Sequence, residues 1–156
     1  MLSKKCQYAL HALIYLGEHQ DSGLIFISQI ATSRKIPKKF LEAILLDLKN
    51  NNILGSKKGK GGGYYLKKKP EEISILQVVR AIDGAVAMLP CVSLNFYESC
   101  GLCENEEQCT INHLFRQVRD ETLKILSTNT LADLIKSKSI TGQPDHPFLT
   151  DYKAKE

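Results

Sequence analysis

The stretch from Pro37 to Leu66 constrains the fold more than any other part of the chain. Pro37 suits the first turn of a helix, where its missing N–H would have had no partner. Leu41, Ile44, Leu45 and Leu48 then recur at i, i+3, i+4 and i+7, the spacing of one buried helical face. Asn50-Asn51-Asn52 ends that pattern. Ile53-Leu54-Gly55-Ser56-Lys57 and Tyr64-Tyr65-Leu66 read as short strands on either side of Lys58-Gly59-Lys60-Gly61-Gly62-Gly63. A tip made of glycines and lysines turns tightly and lets backbone approach a phosphate closely.

The preceding residues supply the rest of a helix-turn-helix. Ala9, Leu10, Leu13, Ile14 and Leu16 have helical spacing and predict a helix over about 4–18. Asp21-Ser22-Gly23 breaks it, and Leu24-Ile25-Phe26-Ile27 is a short extended piece. Ser28 is read as the cap of a second helix ending near Arg34. Two short helices joined by a tight turn form a helix-turn-helix, and the hairpin that follows is its wing.

Further on, Ser74 with Gln77 predicts a capped helix with Ile75, Val78, Val79 and Ile82 on its apolar face, stopped at Gly84. Pro90 opens a cysteine-rich loop. A long helix is expected over about 111–127, with an apolar stripe of Ile111, Leu114, Val118, Ile125 and Leu126. Such a helix is either a dimerisation element or an ordinary core helix of its own chain. Thr130 with Asp133 caps a last short helix over 131–136. The expected fold is mainly α with a small β-hairpin wing, a winged helix-turn-helix plus a long dimerisation helix. The expected units are a DNA-binding domain over 1–84, a cysteine loop over 85–110, the dimerisation helix with the short helix over 111–136, and a flexible tail over 137–156.

Charge is unevenly spread. From Arg34 to Lys69 eleven Lys/Arg face two acids, Glu42 and Asp47, a local net of +9 in a chain whose total is +4. A basic block on a compact domain is an electrostatic footprint for nucleic acid, although many lysine runs are only solvated faces. No apolar run has the length of a transmembrane helix. Met1-Leu2-Ser3-Lys4-Lys5 does not begin a signal peptide, so a cytoplasmic protein without a membrane partner is expected. No nucleophile–base pair stands out, and the wing glycines lack the Lys-Ser/Thr ending of a P-loop. No enzymatic activity is expected.

Four of the five cysteines, Cys91, Cys100, Cys103 and Cys109, are spaced C-x8-C-x2-C-x5-C. In a reducing compartment this grouping points to metal or redox chemistry more than to a disulfide scaffold. Four thiolates suit a [2Fe–2S] or [4Fe–4S] cluster, and they equally suit tetrahedral zinc. Without a metal they would form switching disulfides. Cys6, alone, reads as a small apolar residue.

These residues together resemble the Rrf2 family of bacterial winged-helix regulators, which includes IscR, NsrR and RirA. The resemblance covers about residues 1–136. It is carried by Tyr8-Ala9-Leu10, Ile30-Ala31, Phe40-Leu41-Glu42, Gly59-Lys60-Gly61-Gly62-Gly63-Tyr64, Val78-Val79-Arg80-Ala81-Ile82-Asp83-Gly84, the cysteine loop and Thr130-Leu131-Ala132-Asp133-Leu134-Ile135. It implies a homodimer on a pseudo-palindromic double-stranded operator, acting as a repressor and sensing iron–sulfur or redox status. Family membership tilts the cofactor toward iron–sulfur, which members usually hold with three cysteines and a fourth ligand that varies. Cys91, Cys103 and Cys109 match the three, Cys100 is extra, and the simplest self-sufficient set is all four. Some members add a histidine after the third cysteine. The matching position here is Asn112, and His113 lies one place later, about 100° around a helix. Some members take a ligand from the first helix of the partner subunit, and His11, which matches such a histidine of one relative, is a lesser candidate. The alternative is a zinc-stapled interaction module with no sensing role.

For DNA the expected contacts are Lys38, Lys39, Glu42, Lys57, Lys58, Lys60, Gly61 and Tyr64. Lys38 and Lys39 stand in the first turn of the recognition helix. Glu42 either accepts from a cytosine amine or pairs with one of those lysines. The resemblance assigns Lys58 to the minor groove.

Overall fold

The computed structural model describes residues 2–59, 61–103 and 105–137. Lys60, expected on the wing, and the tail from 138 onward lie outside the described residues. Six helices and one hairpin follow in chain order: α1 (Lys4–Glu18), α2 (Ile27–Arg34), α3 (Lys38–Asn50), β1 (Leu54–Lys57), β2 (Gly63–Leu66), α4 (Ile75–Ile82), α5 (Thr110–Thr128) and α6 (Leu131–Ser137).

The periodic residues meet in one core. Leu13 and Leu16 of α1, Ile30 of α2, and Leu41, Ile44, Leu45 and Leu48 of α3 are fully buried together with Leu54, Ile73, Val78 and Leu131. Burial of a side chain this size contributes on the order of 1.5–3 kcal/mol. Leu131 is the unexpected member. Its N–H donates to the Ile73 carbonyl at 2.8 Å, and the Ile75 N–H donates to the Asn129 carbonyl at 3.0 Å. These bonds seat the start of α6 beside the start of α4. The predicted cap of α6 is complete: Thr130 N–H donates to Asp133 at 2.8 Å, and Asp133 N–H donates back to Thr130 Oγ1 at 3.3 Å.

The second helix begins earlier than Ser28 implied. Ile25 and Tyr64 exchange backbone bonds of 3.0 and 2.8 Å, which ends the extended piece at Ile25. The chain then turns directly into α2. Gln29 Oε1 accepts from the Phe26 N–H at 2.8 Å, so Ser28 lies inside the helix. At the other end Lys35 takes a left-handed conformation (φ 52°), and the Ile36 N–H reaches back to the Ala31 carbonyl at 3.0 Å. That closure sets the turn into α3.

β1 and β2 pair antiparallel, from Leu54 opposite Leu66 to Lys57 opposite Gly63. Gly61 has φ +87°, a conformation that side chains resist. Gly63 is needed for a different reason: a Cβ there would lie 2.7 Å from the Ile25 carbonyl oxygen. Glycine therefore lets the wing dock on the extended piece before α2.

Only α5 departs from the pattern of burial. Asn112 is its one buried residue, while Ile111, Leu114 and Ile125 are 56–60% exposed. The other two residues of the expected stripe, Val118 and Leu126, are half-buried, and Leu126 packs against Cys6, Ile75 and Val79 of its own chain. No helix among the described residues is long and apolar enough to cross a membrane.

Candidate nucleic-acid face and cysteine loop

The buried side of α3 fixes its outward side. With Leu41, Ile44, Leu45 and Leu48 inside, Lys38, Lys39, Glu42, Ala43 and Leu46 are exposed. Glu42 makes no ion pair among the described residues. The other acid of the basic block is occupied: Asp47 pairs with Lys5 at 2.6 Å, tying α3 to α1. Phe40 meets the ring of Tyr8 edge to face at 6.0 Å, a second tie to α1.

Lys57, Lys58 and Gly61 are exposed around the wing tip. Tyr64 is different. It is half-buried, packs on the core and holds Ile25 through its backbone. Its neighbour Tyr65 is exposed.

The cysteine loop is anchored at both ends to the first half of α5. Cys91 is buried in a short 3-10 turn, Pro90–Val92. Cys109 is the N-cap residue of α5, where its Sγ accepts from the Asn112 N–H at 3.4 Å. The Asn112 side chain, 3% exposed, donates from Nδ2 to the Cys91 carbonyl at 3.3 Å. One residue thus joins the first and last cysteines. Farther along α5, Arg119 donates to the Val92 carbonyl at 2.6 Å and pairs with Asp120 at 2.7 Å. Sequence reading treated Asn112 only as a replacement for a family histidine and missed Arg119. No local pattern marks either, because both bonds join segments far apart in the chain.

Between the anchors the loop is open. Cys100 is exposed, Cys103 is half-exposed, and their sulfurs are 3.9 Å apart. The neighbouring Cys109 thiol, and after it that of Cys100, pushes the Cys103 thiol up to about 12. The opposite holds for Cys109: the Asn112 N–H, then the Cys103 thiol, favour its thiolate and bring it below the ordinary value. Cys6 belongs to neither arrangement. Buried in α1, it is pushed up to about 11 by burial and then by the nearby Asp83 carboxylate.

The donor chemistry fits a thiolate-held metal or cluster. Two thiolates on a tetrahedral ion with metal–sulfur bonds of ~2.3 Å stand about 3.8 Å apart, close to the Cys100–Cys103 separation. Assembly is partial, because among the described residues no three His, Cys, Asp or Glu side chains converge tightly enough to hold one ion. His11 is exposed on α1 and is not part of any such group.

A second link missed in the sequence ties α1 to the end of α4. Ser3 caps α1, accepting from the Cys6 N–H at 3.0 Å. Its own N–H donates to Asp83 at 2.9 Å, and its hydroxyl donates to the same carboxylate. A serine just before an apolar periodic run is a legible cap signal. Its partner across the chain is not. Beside this link runs a groove of about 670 Å³, with Leu2, Val79, Ile82, Val86, Val118 and Leu126 among its lining.

Known proteins agree with this architecture. An Rrf2-like HTH-type transcriptional regulator of Rhodobacter capsulatus is 39% identical over 154 residues, covering 97% of this chain and all of that protein. The HTH-type transcriptional regulator IscR of Pectobacterium atrosepticum is 27% identical, over 92% of this chain and 84% of that one. The structure of CymR, the global cysteine regulator of B. subtilis, superposes with a TM-score of 0.72 at 24% identity, over 88% of this chain and 97% of that one. A family model described as an iron-dependent transcriptional regulator matches residues 2–137. With its helix-turn-helix, wing and long C-terminal helix matched from end to end, the chain belongs to the Rrf2 family of transcriptional regulators.

Proposed function

We propose that this regulator is a cytoplasmic homodimer that represses from a pseudo-palindromic DNA operator and responds to iron–sulfur or redox status through Cys91, Cys100, Cys103 and Cys109. The observation that carries the reading is the loop itself. Cys100 and Cys103 stand 3.9 Å apart, and Asn112 ties Cys109 to the Cys91 carbonyl. The family model's iron-dependent description supports iron over zinc. A bound cluster would supply a crosslink among the four thiolates and a charge that changes with its oxidation state.

The exposed stripe of α5 supports dimerisation. Ile111, Leu114 and Ile125 are too exposed to be at rest in water as a stripe on one helix. A second copy would cover them, and the groove lined by Leu2, Ile82, Val118 and Leu126 lies within reach of the same interface. DNA binding would rest on Lys38, Lys39 and Glu42 of α3 and on Lys57, Lys58, Lys60, Gly61 and Tyr64 of the wing. A symmetric dimer must present two α3 helices about 34 Å apart, one DNA turn. Asn112 and Arg119 fasten the loop to α5, so a change in the loop would bear on the helix that sets this spacing.

The test is to purify the protein without oxygen, record its visible spectrum and assay iron, sulfide and zinc. Operator affinity is then measured for metal-loaded and metal-free protein at one salt concentration, because phosphate contacts make affinity salt dependent. Iron with sulfide and a changed affinity are expected. Stoichiometric zinc with chelation that unfolds the loop would transfer the assignment to a structural staple. An affinity indifferent to metal content would overturn the sensing role.

A further inference from the structure

The outward face of α3 carries an apolar feature that its charges do not explain. At about 100° per residue, the buried Leu41, Ile44, Leu45 and Leu48 centre on one side of the helix. Lys39, Ala43 and Leu46 fall within roughly 60° of one another on the opposite side. Leu46 is 53% exposed, and Ala43 is exposed beside it one turn back. Phe40, the other exposed apolar residue of this helix, leans on Tyr8 instead. The helix therefore presents lysine first and a two-residue apolar step after it, in a domain whose surrounding charge is basic.

We infer that Leu46, with Ala43, reads the 5-methyl groups of thymine in the operator. This rests on the reading that α3 enters the major groove. The occupant is fixed by chemistry. Lys38, Lys39 and the wing lysines favour a polyanion, and in the major groove the thymine methyl is the one apolar mark that a base pair displays. A side chain of carbon alone gains nothing from guanine O6 or adenine N6 but buries surface against a methyl. From Lys39 to Leu46 the helix rises about 10.5 Å, roughly three base-pair steps. Lysine and apolar step thus meet different base pairs of one half-site, Lys39 at one end and Leu46 at the other.

The experiment uses the full chain, purified without oxygen, and begins by selecting binding sites from random duplex DNA. Each thymine of the selected site is then replaced by uracil, which removes the methyl and nothing else. Wild type should lose about three- to fivefold in affinity at one thymine position per half-site, the value of burying one methyl-sized group. Leu46→Ala, whose side chain is exposed and whose thermal midpoint should match wild type, should be indifferent to uracil at that position. Lys39→Ala should weaken binding while keeping the uracil effect. If wild type ignores uracil everywhere, or if Leu46→Ala still senses it, the methyl-reading role is overturned while Lys39→Ala still supports α3 in the groove. If selection enriches no site, or if neither substitution changes binding to the selected site, the placement of α3 itself is overturned.

Discussion

Replacing Asp83 by alanine tests how the N-terminus of α1 is held to the end of α4. The carboxylate accepts two bonds from Ser3, one from its N–H at 2.9 Å and one from its hydroxyl. Both residues are half-buried, so each bond is screened by solvent and stabilises by about 1 kcal/mol, below the value for a fully desolvated charged pair. Asp83→Ala should therefore cost about 2 kcal/mol. Asp83→Asn keeps one acceptor oxygen and should cost about half as much. In a chain of 156 residues, 1 kcal/mol moves the midpoint by roughly 2–4 °C. The expected drops are about 4–8 °C for alanine and about 2–4 °C for asparagine, read by far-UV circular dichroism. Protein concentration must be fixed, because self-association would raise the midpoint by mass action. Ser3→Ala loses the α1 cap as well as one Asp83 bond, and the double variant should show coupling of about 1 kcal/mol. A drop under 1 °C for Asp83→Ala, or identical drops for alanine and asparagine, would refute the assignment of two accepted bonds.

Three other expectations use different parts of the molecule. Substituting Lys57 and Lys58 together by alanine should weaken DNA binding across all sequences and reduce the salt slope by about 0.9 for each phosphate no longer neutralised, measured by titration at several salt concentrations. Arg119→Ala removes the bond to the Val92 carbonyl and should speed limited proteolysis within 85–110 while leaving the cleavage of 4–84 unchanged, as mass spectrometry of the fragments would report. In metal-free protein, Cys109 should be alkylated ahead of Cys103. The thiolate is the reacting form. Cys109 reaches it below the ordinary thiol value, whereas Cys103 stays protonated until near pH 12, so the preference should hold from neutral pH upward and vanish only as pH nears 12.

The parts of this fold that were legible in sequence are those governed by local rules. The i, i+3, i+4, i+7 spacing of Leu41, Ile44, Leu45 and Leu48 marked a face that is fully buried. The Thr130–Asp133 cap was visible because its members are three residues apart. The start of α2 was misread because a pairing distant in sequence overrode the local signal. Ser28 is the stronger cap type, but the Ile25–Tyr64 pairing ends the extended piece early and leaves Gln29 to satisfy Phe26. The cysteine spacing pointed to the loop but not to its anchors. Asn112 and Arg119 act on carbonyls of residues 91 and 92, and Asp83 acts on Ser3 eighty residues away. Polar side chains that bond distant backbone leave no period to detect. The exposure of Ile111, Leu114 and Ile125 likewise needed the packed chain, since sequence alone could not tell an outward stripe from an inward one.

The Asn112 bridge has a consequence for how readily the loop could gather its thiols. By joining the N-cap of α5 to the Cys91 carbonyl, it closes the segment from Cys91 to Cys109 into a ring before any ligand arrives. Bringing together the ends of a free segment of that length costs on the order of 2.5 kcal/mol in chain entropy. Here that cost belongs to folding. What remains for assembly is to bring Cys100 and Cys103, between the two anchors, together with Cys91 and Cys109. A loop built this way trades on its shape in advance, so a modest change at its tip reaches a base that is already fixed in place.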